Sequence, residues 1–147
     1  MKTVLCDIDH TVSNATWRDP LIGGDWDTYH SEAAYDLPIS AMVNILIALA
    51  DAGHAIIFIT ARPEKWRQDT LQWLSKHDIP YNELLMRKDT DYRPAPVMKM
   101  DLAITRFKDI KSDVLCIFDD RDDVIDTFKK AGVVSFQVAN DRPKPTS

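Results

Sequence analysis

The stretch Thr3-Val4-Leu5-Cys6-Asp7-Ile8-Asp9-His10-Thr11 decides the fold. It opens as an unbroken apolar run and turns acidic within two residues. An apolar run without polar alternation, rich in β-branched residues, suits a strand buried on both faces in the middle of a parallel sheet. Thr3–Asp7 has four counterparts: Ala55–Thr60 (AIIFIT), Val114–Phe118 (VLCIF), Val133–Val138 (VVSFQV) and the weaker Leu84–Met86. Helical patterns separate them. Pro38 is expected in the first turn of a helix carrying Ile39, Val43, Leu46, Ile47 and Ala50, with Gly53 as terminator. Pro63 is expected to open a helix with Trp66, Trp73 and Leu74 on its core side. Pro96 precedes Val97, Met100, Ile104 and Phe107 at helical spacing, and Val124, Phe128 and Ala131 mark a last helix before Gly132.

This order predicts an α/β fold: a Rossmann-like, doubly wound, mostly parallel five-stranded sheet with helices on both faces and right-handed crossovers. One domain over residues 1–139 is expected, followed by a flexible polar tail at 140–147. Residues 13–37 break the rhythm after the first strand and hold Trp17, Trp26, Tyr29, Tyr35, Gly23 and Gly24. So long a connection is expected to be a small lid; an ordered surface excursion with its own aromatic cluster is the alternative.

The chain has 147 residues, 45% hydrophobic and 28% charged, with a formal net charge of −5. That fits one folded domain and excludes a disordered acidic chain. No apolar stretch approaches the roughly 20 residues that span a bilayer, and the acids at positions 7 and 9 leave no secretory h-region. Cys6 and Cys116 lie in apolar runs, which points to buried free thiols and a cytoplasmic location. An acidic chain binds nucleic acid poorly through bulk charge, so a phosphate must be met by a local site.

In an open α/β sheet that site lies at the carboxyl ends of the strands. There the chain places Asp7 and Asp9, then Thr60-Ala61-Arg62, then Asp119-Asp120, with Lys99 at the start of a helix on the same edge. Crowded carboxylates repel unless a cation sits among them, and a partly open oxygen site suits Mg²⁺.

With Asp7-Ile8-Asp9-His10-Thr11, Thr60, Lys99 and Asp119-Asp120 in this order, the chain resembles the four motifs of haloacid dehalogenase-like phosphatases. TARPEKWRQDTLQWLSKHDIPY (60–81), MRKDTDYRP (86–94) and FDDRDDVIDTFKKAGVVSFQVA (118–139) resemble more narrowly the 3′-phosphatase domain of polynucleotide kinase/phosphatase enzymes. The chain departs from that pattern at His10, where glycine is usual, and at Ala95-Pro96, where acids precede the motif lysine. No GxxxxGK[ST] occurs, so no ATP-dependent phosphorylation is expected.

The resemblance implies a Mg²⁺-dependent phosphatase of a terminal nucleotide phosphate, the 3′-phosphate of DNA or RNA ends, working in nucleic-acid repair. It makes Asp7 the nucleophile, Asp9 the general acid and base, Thr60 a phosphate contact and Lys99 the balancing cation. It gives Mg²⁺ to Asp7, the Asp9 carbonyl, Asp119 and Asp120. Substrate contacts fall to Arg62, Arg18, Ala61 and Thr11, with Arg18 reaching in from the lid. A separate kinase or ligase is an expected partner. Structural readings stay open beside these roles. Thr60 can cap a helix, Lys99 can be a solvated helix lysine, and Asp122 and Asp123 suit a helix first turn with Arg121 as an ion-pair partner. Residues 87–99 carry four positive and two negative charges, a local +2 suited to an oligonucleotide. Trp17, Trp26 and Tyr29 can stack on a base or pack the insert, whereas Trp66 and Trp73 are expected in the core. The alternatives are a 5′(3′)-nucleotidase acting on free nucleoside monophosphates and a catalytically idle binding module.

Overall fold

A computed structural model describes residues 1–139. In chain order the strands are β1 (Thr3–Cys6), β2 (Ser13–Asn14), β3 (Leu37–Pro38), β4 (Ala55–Pro63), β5 (Glu83–Arg87), β6 (Val114–Asp119) and β7 (Ser135–Gln137). The helices are α1 (Trp26–Ser31), α2 (Ser40–Asp51), α3 (Arg67–Lys76), α4 (Ala95–Arg106), α5 (Ile110–Asp113) and α6 (Asp122–Lys130), and three short 3-10 turns cover Thr16–Leu21, Glu32–Tyr35 and Glu64–Trp66. Five strands form one sheet in the order β5-β4-β1-β6-β7, every neighbouring pair parallel.

Alternation along the strands builds two cores. Val4, Cys6, Ile56 and Phe58 face one side and pack with Met42 and Leu46 of α2 and Trp73 and Leu74 of α3. Leu5, Ile57, Ile59 and Ile117 face the other and pack with Ala103 of α4 and Val124 and Phe128 of α6. Each large apolar side chain buried this way contributes roughly 1.5–3 kcal/mol, so unbroken hydrophobicity in a strand is what a sheet covered on both faces requires. From β1 the chain steps to β4 and β5 on one side, then crosses to β6 and β7 on the other. The order therefore reverses at β1, and the carboxyl ends of β1 and β6 open a crevice there.

Three expected boundaries move. Pro38 is not in a helix: it pairs with Ser13 in the two-stranded β2–β3 ribbon, and α2 starts at Ser40. Proline is tolerated in such an edge ladder because its missing N–H is not needed. Pro63 ends β4 instead of opening a helix, since the residue before a proline is steered away from helical dihedrals; α3 begins only after the Glu64–Trp66 turn. The final strand shortens to Ser135–Gln137, with Val133 buried in the core before it and Val134 exposed. The tail expected at 140–147 lies outside the described residues.

Candidate active site

The Asp7 N–H donates to the Phe118 carbonyl at 2.9 Å, which fixes the end of β1 against β6. The chain then turns tightly: the Ile8 carbonyl accepts from the N–H groups of Thr11, Val12 and Ser13 at 2.9–3.1 Å. His10 sits in this loop with φ of 64°, a left-handed conformation that glycine adopts most easily. That geometry is the physical reason glycine is usual here. In this chain the strained residue is a histidine, its ring buried and its Nε2 3.2 Å from Asp19 Oδ1.

Lys99 lies near the start of α4 and is 1% exposed. Its ammonium donates to Asp7 Oδ1 at 2.9 Å and to Asp119 Oδ2 at 2.7 Å. Thr11 Oγ1 donates to Asp7 Oδ2 at 3.0 Å, and the Arg121 N–H donates to Asp119 Oδ1 at 3.0 Å. Lys99 is thus a buried bridge between the ends of β1 and β6, and the solvated-lysine reading falls. Asp120 completes a triad with Asp7 and Asp119 whose oxygens lie within 4.8 Å of one another.

Three carboxylates face one ammonium, leaving two negative charges when all are ionised. Burial, then the Asp7 charge, pushes the Asp119 and Asp120 carboxyls above their ordinary range. Burial alone would lower Lys99, but Asp119 and Asp7 hold its ammonium firmly charged. An all-oxygen set short of two positive charges fits a divalent cation such as Mg²⁺. Carboxyls with raised folded pKa values stabilise the fold below the ordinary carboxylate value, and that contribution is lost as pH rises through the raised values. Metal-free protein should therefore melt at lower temperature as pH rises from weakly acidic to weakly alkaline. Added Mg²⁺ should restore more of the loss at the higher pH, as thermal melts across pH with and without Mg²⁺ will show.

The second centre is balanced. Asp9 accepts from Arg18 at 2.6 Å and from Arg62 at 2.7 and 3.1 Å. Burial raises the Asp9 carboxyl, but the two guanidiniums outweigh it and hold the group far below the usual range. Arg18 is fully buried and also grips Asp36 at 2.7 and 2.9 Å and the Tyr29 carbonyl at 3.0 Å. Asp36, which the sequence reading missed, further accepts from Trp17 Nε1 at 2.8 Å, while its carbonyl accepts from Trp73 Nε1 at 2.9 Å. No motif marks Asp36, because a salt bridge across 18 residues of irregular chain leaves no periodic signal.

The expected residues separate by position. Asp7, Asp9, Ala61, Arg62, Lys99 and Asp120 line one cleft of ≈ 600 Å³. Thr11, Thr60 and Asp119 are fully buried at its base, and the Thr60 hydroxyl accepts from the Arg62 N–H at 3.1 Å. Arg18 differs from expectation: with no exposed surface it stands behind Asp9, not on a lid over the cleft. Arg121 pairs with Asp123 in the first turn of α6 at 2.8 Å. The +2 surplus of residues 87–99 shrinks, because Lys99 is held by Asp7 and Asp119, and Arg93 by Asp91 and Asp101. Trp73 is core and Trp66 packs at the core's edge. Cys6 and Cys116 are buried free thiols. Among the described residues no helix is long and apolar enough to cross a membrane.

A doubly wound parallel sheet carrying these four segments at its switch point defines a haloacid dehalogenase-like phosphatase. Within that class, the family model described as the polynucleotide kinase PNKP phosphatase domain matches residues 1–142, and the chain belongs to this family. It is similar to a chain in the structure of the Pnkp1/Rnl/Hen1 complex, at 31% identity and a TM-score of 0.79. That match covers 93% of this chain and 45% of the other, so this chain spans less than half the length of its relative. A chain of the Pnkp1/Rnl/Hen1 RNA repair complex matches with the same identity and TM-score, over 42% of its length. A family IA, variant 3 HAD hydrolase from Entamoeba histolytica HM-1:IMSS shares the fold at 14% identity and a TM-score of 0.67, over 95% of this chain and 84% of its own. No curated protein matches the chain significantly.

Proposed function

We propose that this phosphatase removes the 3′-phosphate from the end of a DNA or RNA chain in a Mg²⁺-dependent reaction. The observation that carries the reading is the buried Lys99 bridge, which aims Asp7 into the cleft beside Asp119 and Asp120. Membership of the polynucleotide kinase PNKP phosphatase family supports a nucleic-acid end as the substrate.

Asp7 attacks phosphorus in line: its carboxylate oxygen bonds to phosphorus as the bond to the sugar oxygen breaks, giving an aspartyl-phosphate. Asp9 donates a proton to the leaving oxygen, then accepts one from the water that hydrolyses the intermediate. At rest Asp9 is ionised, because Arg18 and Arg62 clamp it. A phosphate dianion arriving at Arg62 competes for that guanidinium and lifts the Asp9 pKa, so the carboxylate takes up a proton from solvent before it serves as the acid. Arg18, held by Asp36, keeps Asp9 in place meanwhile. Thr60 and Thr11 orient the phosphate and Asp7, and Lys99 offsets the negative charge that gathers on them. Mg²⁺ held by Asp7, Asp119, Asp120 and the Asp9 carbonyl would neutralise the phosphate. Residues 13–37 form an insert of a single phosphatase domain over 1–139, with Trp26 and Tyr29 on the wall of the cleft and Arg18 buried behind Asp9. The RNA repair assembly that contains a similar chain supports a separate kinase or ligase partner and a cytoplasmic setting.

Phosphate release from 3′-phosphorylated oligonucleotides, 5′-phosphorylated oligonucleotides and mononucleotides, with and without Mg²⁺, tests the reading. Release should depend on Mg²⁺ and be fastest from 3′-ends. Preference for mononucleotides would make the protein a 5′(3′)-nucleotidase, and no release from any substrate with any divalent ion would leave an idle binding module.

A further inference from the structure

We infer that Trp26 is a platform on which the terminal nucleobase of the substrate stacks; the inference rests on the polynucleotide reading above and extends it from the phosphate to the base. Four aromatic residues of the insert qualify by type, and the structure separates them: Tyr35 is exposed but does not line the cleft. Trp17 has its indole N–H on Asp36 and does not line the cleft. Tyr29 lines it but is 7% exposed, and the Arg18 guanidinium covers its ring at 4.5 Å. Trp26 lines the cleft and remains 50% exposed.

This tryptophan is held in place. Tyr29 meets it edge-on at 5.4 Å and 82°, and His30 stacks against it at 6.1 Å and 28°. Its helix is anchored at both ends of its first turn. Asp25 accepts from the N–H groups of Asp27 and Thr28 and from the Thr28 hydroxyl, at 2.8–3.3 Å. Asp27 in turn accepts from Lys65 Nζ at 2.6 Å, which ties the insert to the segment following β4. The His30 ring against Trp26 is neutral at pH 7: burial, with Arg62, Arg18 and Lys65 nearby, outweighs the opposite pull of Asp9 and pushes His30 down to about 4.

The same cleft is thus lined by Asp7 and Lys99, which meet phosphate, and by the half-exposed Trp26 ring, which offers a flat π-surface. A nucleobase attached to the sugar that bears the scissile phosphate has the matching chemistry. Stacking is indifferent to base identity, because every base presents a π-face. The enzyme would then require a base beside the phosphate without reading which base it is.

The test compares 3′-phosphorylated oligonucleotides that differ only in whether the last nucleotide carries a base or is abasic. The unaltered enzyme should show a KM about 10-fold or more higher for the abasic end, the range expected of one stacked base. Trp26→Ala should collapse that ratio toward one, and Trp26→Phe should restore part of it. In an Asp7→Asn background the base-bearing oligonucleotide should quench tryptophan emission, and Trp26→Phe should remove the quench. Equal KM values for the two ends with unaltered enzyme, or an unchanged ratio in Trp26→Ala, would overturn the platform while leaving the phosphatase reading intact. No release from either end by the unaltered enzyme would overturn the polynucleotide reading and the platform with it.

Discussion

Asp7→Asn is expected to abolish phosphate release and at the same time to raise the melting temperature of the metal-free protein. Both effects come from one atom exchange. Asp7 is 6% exposed and accepts from Lys99 through Oδ1 and from Thr11 through Oδ2. Asparagine keeps the shape and the acceptor toward Lys99, and its amide can donate to the Thr11 hydroxyl, so the fold has no reason to fail. The amide is a poor nucleophile toward phosphorus. Removing a nucleophile from a working set costs about 10⁴-fold or more in kcat. The substitution also removes one of the three carboxylates that crowd around Lys99, which relieves repulsion in a buried site. A gain on the order of 1 kcal/mol, roughly 3–5 °C in melting temperature, is expected without metal. Phosphate release and a thermal melt check the two halves separately. Full activity would end the covalent mechanism, and a lower melting temperature would end the account of an overcharged cluster.

That cluster was legible in the sequence because its physics is local. β1, β4 and β6 each read as unbroken apolar runs, and the abrupt change to Asp7, Thr60 and Asp119 falls at or near the carboxyl end of each strand. A parallel sheet must bring those ends to one edge, so three motifs far apart in the chain meet without any knowledge of their contacts. Lys99 was legible by the same reasoning, since a helix that follows β5 starts at that edge.

At the Asp9 centre the sequence marked Asp9, Arg62 and Arg18 but not their pairing with one another or with Asp36. The centre's charge balance, two guanidiniums against Asp9 and Asp36, depends on how the irregular chain from 13 to 37 folds back on itself. Periodicity carries no information about such a path. The same ignorance put Arg18 on a lid when it lies buried, and put Pro38 in a helix when the β2–β3 ribbon holds it. The two centres divide the work electrically. Asp7, Asp119 and Asp120 outnumber Lys99 and call for an added cation, whereas the Asp9 centre is neutral and can release Arg62 to an incoming phosphate.

Lys99→Met should cost more stability than any surface substitution, and added Mg²⁺ should return part of it. Methionine preserves the unbranched stem that α4 packs into the core, so the loss isolates the charge. Without the ammonium, Asp7 and Asp119 face each other across a buried space that Lys99 now bridges at 2.9 and 2.7 Å. Breaking a buried pair from one side costs about 3–5 kcal/mol, because the remaining charges keep their desolvation penalty and lose their partner. Part of that cost is avoided if the carboxyls take up protons, so the deficit should shrink as pH falls. A divalent cation among Asp7, Asp119 and Asp120 would supply positive charge to the same carboxylates. Mg²⁺ should therefore raise the melting temperature of Lys99→Met by more than it raises that of the unaltered protein. Phosphate release should still fall by about 10²–10³-fold, because an ammonium fixed beside the reacting carboxylate stabilises charge in the transition state with no reorganisation. Lys99→Arg is not a rescue: the larger, planar guanidinium cannot take the place of a single buried nitrogen that meets two carboxylates at once. Equal Mg²⁺ shifts for the two proteins would show that the cation and Lys99 do not share ligands, and would remove Asp7 and Asp119 from the metal site.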